Sequence, residues 1–320
     1  NYAVIYEWTK GLDATQASQE GLLGEAEVEA LTLRSRDLLD QKGFFVGDST
    51  PHHVIVRPTE DGRLLRDRQG DLLYALIDFE LLKRTPAREK QIRIAKRKTY
   101  LKKQAQRFET SAGRAFPPNL TPANIMGVDY VFGQVEGTRG LLWVVGKDPT
   151  LFDYFLLEQW RETRRIKLSV FDQIFRTTTK NDIHLVWKVS RVGEIPDMDP
   201  FDASEQRILD HDYNSPVEEV ALALELESRG VPSTYPRAIY MASSKSEMHE
   251  SLCDERRYES HKGLLTPGHQ PILKKNHDYI IFWGYWNGPD ELLALKDESP
   301  YEGMDVLFAY RKGLVDKGIY

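Results

Sequence analysis

Two aspartates occupy positions where a carboxylate can do chemistry. Asp48 stands in the polar loop Gly47–His53, directly before the short apolar run Val54–Val56. Asp78 ends a second apolar run and is followed by Phe79 and Glu80. A carboxylate in the first position can orient or deprotonate an attacking hydroxyl. A carboxylate in the second can hold a metal ion that bridges nucleotide phosphates.

A lysine and two glutamates form a second candidate group. Lys188 lies within an apolar strand, and the helix predicted over Pro216–Arg229 carries Glu218 and Glu219 in its first turn. Either glutamate can pair with the lysine. The alternative is that Lys188 extends its head into solvent and that the glutamates only complement the helix dipole.

The segment around the two aspartates resembles the C-terminal lobe of the protein-kinase-like superfamily, which includes protein kinases and aminoglycoside phosphotransferases. Asp48 matches the catalytic aspartate of that superfamily, Pro51 its loop proline, and Asp78 the aspartate of its metal-binding motif. The resemblance implies that Asp48 orients the acceptor hydroxyl. It also implies that Asp78, together with His53, holds Mg²⁺ beside bound ATP.

The match to this superfamily has three departures. His53 stands where a metal-binding asparagine is expected, and a ring nitrogen suits Mg²⁺ poorly. Glu80 replaces the glycine of the metal-binding motif, and Val46 and Gly47 replace the histidine before the catalytic aspartate. These departures leave open a structural alternative, in which Asp48 caps a turn and Asp78 ends a buried strand.

The later part of the chain resembles a kinase N-terminal lobe. Lys188 matches the strand lysine that clamps nucleotide phosphates, with Glu218 or Glu219 as its helix partner, and Tyr279–Trp286 matches the hinge strand. The polar turn Thr177–Asp182 stands where a glycine-rich phosphate loop is expected. The resemblance implies nucleotide binding. The absence of the loop glycines argues against tight binding of the phosphates.

The parts occur in an unusual order, because a kinase places its lysine before its aspartates. Two explanations remain open: lobes of two tandem modules, or one circularly permuted site. Similarity between Tyr2–Gly11 and Tyr279–Gly288 favours tandem modules, as do ends that look cut from a longer protein. We expect a C-lobe-like region over residues 1–110, a linker with a small α/β segment over 111–164, and an N-lobe-like region over 165–320.

Composition limits the function classes. Apolar residues make up 41% of the 320 residues, which is enough for real cores, and the net charge of −6 argues against a dedicated nucleic-acid binder. The single cysteine, Cys253, excludes an internal disulfide and fits a reducing compartment. No apolar run approaches the roughly 18 residues of a membrane span, so we expect a cytoplasmic protein without a membrane partner.

A strongly basic segment is the main competing signal. Lys83–Arg107 carries many cations and a single acid, Glu89. A helix with this composition can lie along an RNA backbone or dock on an acidic protein. The alternative is a solvated surface helix.

Together these patterns predict an α+β fold, with a kinase-like C-terminal-lobe segment followed by a β-rich N-terminal-lobe-like segment. The predicted function is ATP- and Mg²⁺-dependent phosphotransfer. One alternative is a non-catalytic scaffold of pseudokinase type. The other is a module that binds RNA or an acidic partner through the basic helix. The oligomeric state is left open.

Overall fold

A computed structural model describes residues 10–109, 116–160, 162–169, 173–195, 203–231, 233–244, 255–284 and 306–318. Several features predicted from the sequence lie outside these residues. They include the first aromatic strand at Tyr2–Trp8, the lone Cys253, and Tyr285 and Trp286 at the end of the predicted hinge.

The chain forms two compact units, Asn1–Arg93 (unit 1) and Ile94–Tyr320 (unit 2). The division falls inside one long helix and not near residue 110, where the sequence placed the first boundary. The predicted linker range, 111–164, contributes three strands to the same sheet as the strands after residue 165. The second predicted boundary therefore crosses a continuous structure, because cross-strand pairing links residues that are distant in the chain.

Unit 1 contains short strands and two main helices. Its strands are β1 (Leu12–Asp13), β2 (Phe44–Val46), β3 (Val54–Val56), β4 (Tyr74–Leu76) and β5 (Leu82–Arg84). Its helices are α1 (Ala14–Gln19), α2 (Glu25–Gln41) and the 3₁₀ turn η1 (Pro51–His53), and α3 (Pro86–Ala105) begins here and ends in unit 2.

The strands of unit 1 form two small sheets over one core. β1, β3 and β4 make one sheet and β2 pairs with β5, all antiparallel. Val54 and Val56 point inward because alternate residues of a strand face the same side. They pack with Ala14 and Ala17 of α1 and Leu31 of α2. This small core anchors the loops on either side of β3.

Unit 2 is built on an eight-stranded antiparallel sheet. Its spatial order is β6-β7-β8-β12-β13-β11-β10-β9. The strands are β6 (Leu120–Ile125), β7 (Val128–Gln134), β8 (Leu141–Val145), β9 (Arg165–Lys167), β10 (Ile174–Thr178), β11 (His184–Val189), β12 (Pro236–Met241) and β13 (Tyr279–Gly284).

Both faces of this sheet are covered. On one face Leu185, Phe282 and Tyr240 pack against the 3₁₀ turns η2 (Pro149–Phe155) and η3 (Leu157–Gln159). On the other face the central strands pack against α5 (Pro216–Ser228). The remaining helices are α4 (Ala203–His211), α6 (Arg256–Ser260) and α7 (Val306–Arg311). Every residue of β12 is buried, as expected for a strand covered on both sides.

The sequence predicted the α+β class, and the structure confirms it. Apolar residues at Val28, Leu31, Leu38 and Leu39, with Gly43 beyond them, predict a helix over Glu25–Gln41, and α2 has these bounds. Ser215 before Pro216 predicts an N-cap, and α5 begins at Pro216 with Ser215 as its cap. The strand predicted over Leu72–Phe79 is shorter, because only Tyr74–Leu76 pairs with β3. In the described part of the chain, no helix has the length and apolar character needed to cross a bilayer.

The aromatic core of unit 2 offers a test of the fold. Phe282 is fully buried and packs against Phe155 and Trp160, at ring-centroid distances of 6.1 and 5.2 Å. We expect Phe282→Ala to lower the free energy of unfolding by about 3–5 kcal/mol, because it leaves a cavity. Leu222→Ala, at a position 47% exposed on α5, is the control and should change it by well under half as much. Urea denaturation measures both, and equal effects would contradict this account of the core.

Candidate functional site

Two backbone hydrogen bonds bring the loops of unit 1 together. The loop that carries Asp48 leaves β2, which pairs with β5 so that Val46 lies opposite Leu82. The Gly47 N–H then donates to the Leu81 carbonyl at 3.1 Å. At the other end, the Ile77 N–H donates to the His53 carbonyl at 3.0 Å and extends the β3–β4 ladder. The residues after β2, before β3 and after β4 are therefore neighbours.

Asp78 has an unusual backbone. Its φ is 62°, in the left-handed region that residues other than glycine seldom adopt. One carboxylate oxygen accepts a hydrogen bond from the Glu80 N–H at 3.3 Å. The other lies 3.4 Å from Nε2 of His53. Left-handed conformations of residues other than glycine cost energy and cluster at functional sites.

The three site residues predicted in unit 1 line one small cavity. Asp48, His53 and Asp78 border it, together with apolar side chains of β3, β4 and β5. Its volume of about 20 Å³ holds roughly one water molecule. Asp48 and Asp78 are both exposed, so a larger ligand would meet their carboxylates from the solvent side.

The geometry limits what metal chemistry unit 1 can support. Among the described residues there is no cluster of three or more His, Cys, Asp or Glu side chains able to hold a metal ion. His53 contacts Asp78 directly, and its nitrogen is a poor ligand for Mg²⁺. Asp78 alone suits Mg²⁺, which phosphotransfer sites hold through one or two carboxylates and the substrate's own phosphates.

In unit 2, Lys188 is ion-paired with Glu219. Its Nζ donates to both carboxylate oxygens of Glu219, at 3.0 and 3.2 Å. The two side chains are 29% and 19% exposed. Strand β11 holds Lys188 between Ile174 of β10 and Ile281 of β13. A pair this shielded is weakened less by salt than a surface pair.

Glu218 does not pair with Lys188, because the helix cap engages it. Its backbone N–H donates to Oγ of Ser215, and its carboxylate accepts the Ser215 N–H at 2.7 Å, which makes a capping box. The same carboxylate also accepts a hydrogen bond from Arg257 at 2.9 Å. Glu219 is one residue further along, turned about 100° around the helix, and is free to face the strand lysine.

The turn before β11 is polar and closes tightly. Residues 179 to 183 connect β10 to β11, and the Thr179 N–H donates to the Ile183 carbonyl at 2.9 Å. Asp182 takes the left-handed conformation that a glycine would otherwise supply. At the predicted hinge, Tyr279 and Phe282 of β13 are buried. These aromatic side chains are core residues and do not form a stacking surface.

Most of the basic segment predicted as a helix over Lys83–Arg107 is helical, over Pro86–Ala105, whereas Lys83 and Arg84 belong to strand β5. Arg88, Lys96, Lys98 and Lys102 of α3 are exposed. Glu89, the one acid in this segment, is paired with Arg84 at 2.9 Å. Arg107, counted with this helix in the sequence, is instead buried. The residue type gave no indication that Arg107 is buried, because arginine is usually exposed. The sequence signal that the end of the helix packs inward was the nearby aromatic residue Tyr100, which is also buried.

Comparison with known proteins places the chain in no established group. No family model matches it, and neither a curated protein nor a solved structure matches it.

The Lys188–Glu219 pair can be tested by a double-mutant cycle with Lys188→Met and Glu219→Gln. Each single variant should lower the free energy of unfolding more than the double variant does, because a single change leaves a partly buried charge without its partner. We expect a coupling energy of about 1–3 kcal/mol, from urea denaturation of the two single variants and the double variant. The control pair is Glu225 and Arg229, whose side chains are 51% and 71% exposed. Its coupling should not exceed about 0.5 kcal/mol. Equal coupling energies in the two pairs would contradict the inference that partial burial strengthens the Lys188–Glu219 pair.

Proposed function

We propose that this protein is a kinase-like phosphotransferase that uses ATP and Mg²⁺. Within unit 1 the candidate residues for binding the acceptor and the metal are Asp48, Asp78 and His53, and within unit 2 the candidate for binding phosphate is Lys188. The observation that carries the proposal is the shared cavity of Asp48, His53 and Asp78. Residues selected from the sequence for one chemistry are neighbours in space, although other segments separate them in the chain.

The roles follow from exposure and contacts. The Asp48 carboxylate is exposed and has no hydrogen bond or ion pair to any other residue that the structure describes, so it can accept a proton from a bound hydroxyl. Asp78 would hold Mg²⁺, which would neutralise charge on the phosphates of ATP when bound. His53, at 3.4 Å from Asp78, would orient that carboxylate.

The reaction requires one bond to form and one to break. The oxygen of the acceptor hydroxyl attacks the γ-phosphorus of ATP, and its proton passes to Asp48. The bond from the γ-phosphorus to the β,γ-bridging oxygen breaks, and ADP leaves with both bonding electrons. Positioning by side chains, with little covalent chemistry by the protein, is sufficient for this type of transfer.

The Lys188–Glu219 pair supports the assignment of unit 2. A lysine held by a helix glutamate is fixed in direction. It can then bind phosphate oxygens as a compact cation. The polar turn before β11 has no glycine to let a phosphate approach the backbone closely, so the proposal assigns binding mainly to the lysine.

The alternative is a scaffold of pseudokinase type. His53 at a metal-ligand position and the absence of a glycine-rich turn before β11 favour it. An active phosphotransferase and a scaffold would have the same fold but would respond differently to nucleotide, so one experiment distinguishes the two functions.

Asp78→Asn is the decisive variant. We expect MgATP to raise the midpoint of thermal unfolding of the unchanged protein, by an amount that saturates with concentration. A ligand at 100 times its Kd stabilises by about 2.7 kcal/mol. Asp78→Asn should lose most of this response and should abolish phosphate transfer, because the metal ligand has lost its charge. Thermal shift measures the first effect, and formation of ADP measures the second.

Asp61→Asn is the matched control, since Asp61 is exposed on a turn of the same unit. It should keep the full MgATP response. A protein that shows no stabilisation at millimolar MgATP would support the scaffold. Retained turnover in Asp78→Asn would refute the role of that carboxylate.

The exposed cations of α3 support a second function, RNA binding. Because its exposed face between residues 86 and 99 is rich in charge and poor in large apolar side chains, a phosphate backbone fits it better than the apolar centre of a protein interface. We propose RNA as the partner of this helix.

Replacing three of these cations tests RNA binding. Lys96, Lys98 and Lys102 changed together to glutamine should weaken binding and reduce the slope of log affinity against log salt by about 2, near 0.7 for each lost contact. The control changes Lys262, Lys275 and Lys317, which are exposed elsewhere, and should keep the slope. Fluorescence anisotropy with a labelled oligonucleotide measures both. Binding to an acidic peptide but not to RNA would favour the acidic-protein alternative.

A further inference from the structure

The end of helix α3 buries three polar side chains in unit 2. Tyr100, Gln104 and Arg107 are only 1%, 2% and 8% exposed. Their spacing of four and three residues places them on one face of the helix and of the turn that follows it. Polar side chains this deeply buried are expected to be fully hydrogen-bonded.

Each of the three retains a donor without a protein partner. Within the described part of the chain, the Tyr100 hydroxyl, Nε2 of Gln104 and Nε of Arg107 make no hydrogen bond. The acceptor of Gln104 is already used, since its Oε1 accepts from Nη1 of Arg237 at 2.7 Å. Arg107 donates from Nη1 to the Gln104 carbonyl at 3.1 Å. The groups left over are therefore donors, which call for an acceptor.

The charge at this position is positive. Arg237 is 3% exposed, and its guanidinium lies 5.6 Å from the ring centre of Tyr235. The guanidinium of Arg107 lies 6.0 Å from the same ring. Arg107 forms an ion pair at 3.8 Å with the carboxylate of Glu227, whose side chain is 39% exposed. Burial, and then the charge of Arg237, lower the pKa of Arg107. Both effects oppose its positive charge.

The backbone holds this arrangement in place. The Arg107 carbonyl accepts a hydrogen bond from the Lys147 N–H at 2.6 Å. Gly146 has a φ of +117°, and a Cβ there would lie 2.6 Å from that carbonyl oxygen. The donors are therefore presented by a fixed backbone. Pre-organisation of this kind lowers the entropy cost of binding.

We propose that Tyr100, Gln104 and Arg107 form a binding site for a tetrahedral oxyanion, either inorganic phosphate or the phosphate group of a small organic ligand. The Tyr100 hydroxyl, Nε2 of Gln104 and Nε of Arg107 donate to its oxygens, and Arg237 contributes charge. A phosphate group offers several acceptor oxygens at once, and guanidinium donors suit it in geometry and charge. This site is separate from the residues assigned to phosphotransfer.

Tyr100→Phe is the sharpest test, because it removes only the hydroxyl oxygen and should preserve the fold. Inorganic phosphate is titrated into the full chain, with chloride at matched ionic strength as reference, and thermal unfolding and calorimetry are recorded. The unchanged protein should show a saturable rise in midpoint. Tyr100→Phe should bind phosphate several-fold more weakly, and Arg107→Lys about 10-fold or more, through loss of a charged hydrogen bond.

Tyr130→Phe is the matched control. Tyr130 is also 1% exposed with an unpartnered hydroxyl, but it packs in the core on the α5 side of the sheet. This variant and Asp78→Asn should keep the phosphate response, which separates the site from the proposed phosphotransfer. A response no larger than that of chloride to both inorganic phosphate and a sugar phosphate, or a response unchanged in Tyr100→Phe, would overturn the proposal. A response to a sugar phosphate but not to inorganic phosphate would identify the organic source.

Discussion

Burial of both faces of the eight-stranded sheet is the constraint on which unit 2 depends. Its central strand β12 is buried at every residue, so each layer must be covered by chain from elsewhere. The two 3₁₀ turns after β8 cover one face and α5 covers the other. Because α5 packs against the strands through Val217 and Val220, its first turn is held beside β11. Core packing therefore sets the position of Glu219 against Lys188.

The candidate site of unit 1 is held by shorter strands and a smaller core than the sheet of unit 2. Its strands are only two or three residues long and its core is small. The hydrogen bonds from Gly47 to Leu81 and from Ile77 to His53 join the ends of these strands. Strand pairs this short fix the positions of the adjoining loops only where hydrogen bonds hold both ends of the pair. The left-handed conformation of Asp78 is stable in that setting, where its carboxylate has two partners.

Buried polar groups behave differently at two places in unit 2. At the start of α5, Ser215, Glu218, Arg257 and His261 are joined by hydrogen bonds to one another, and Arg257 also donates to the Tyr213 and His211 carbonyls. At the end of α3, Tyr100, Gln104 and Arg107 each keep a donor that has no partner among the described residues, and two guanidinium groups lie near one aromatic ring. The first pattern stabilises a fold by itself, whereas the second gains most from a bound acceptor. This contrast is the physical basis for assigning an anion to the second cluster and none to the first.

The sequence by itself determined the elements with strong local signals. The bounds of α2, the Ser215 cap of α5 and the strand at Val54–Val56 follow from periodicity, capping residues and turn residues, which act within a few positions. It also selected Asp48, His53 and Asp78 as a group. Only the tertiary structure decided that Glu219 and not Glu218 meets Lys188, that residues 120–145 join the same sheet as residues 165–284, and that Arg107 is buried. These outcomes depend on pairing and packing between distant segments, and no local pattern of residues encodes which distant partner a strand or side chain will meet.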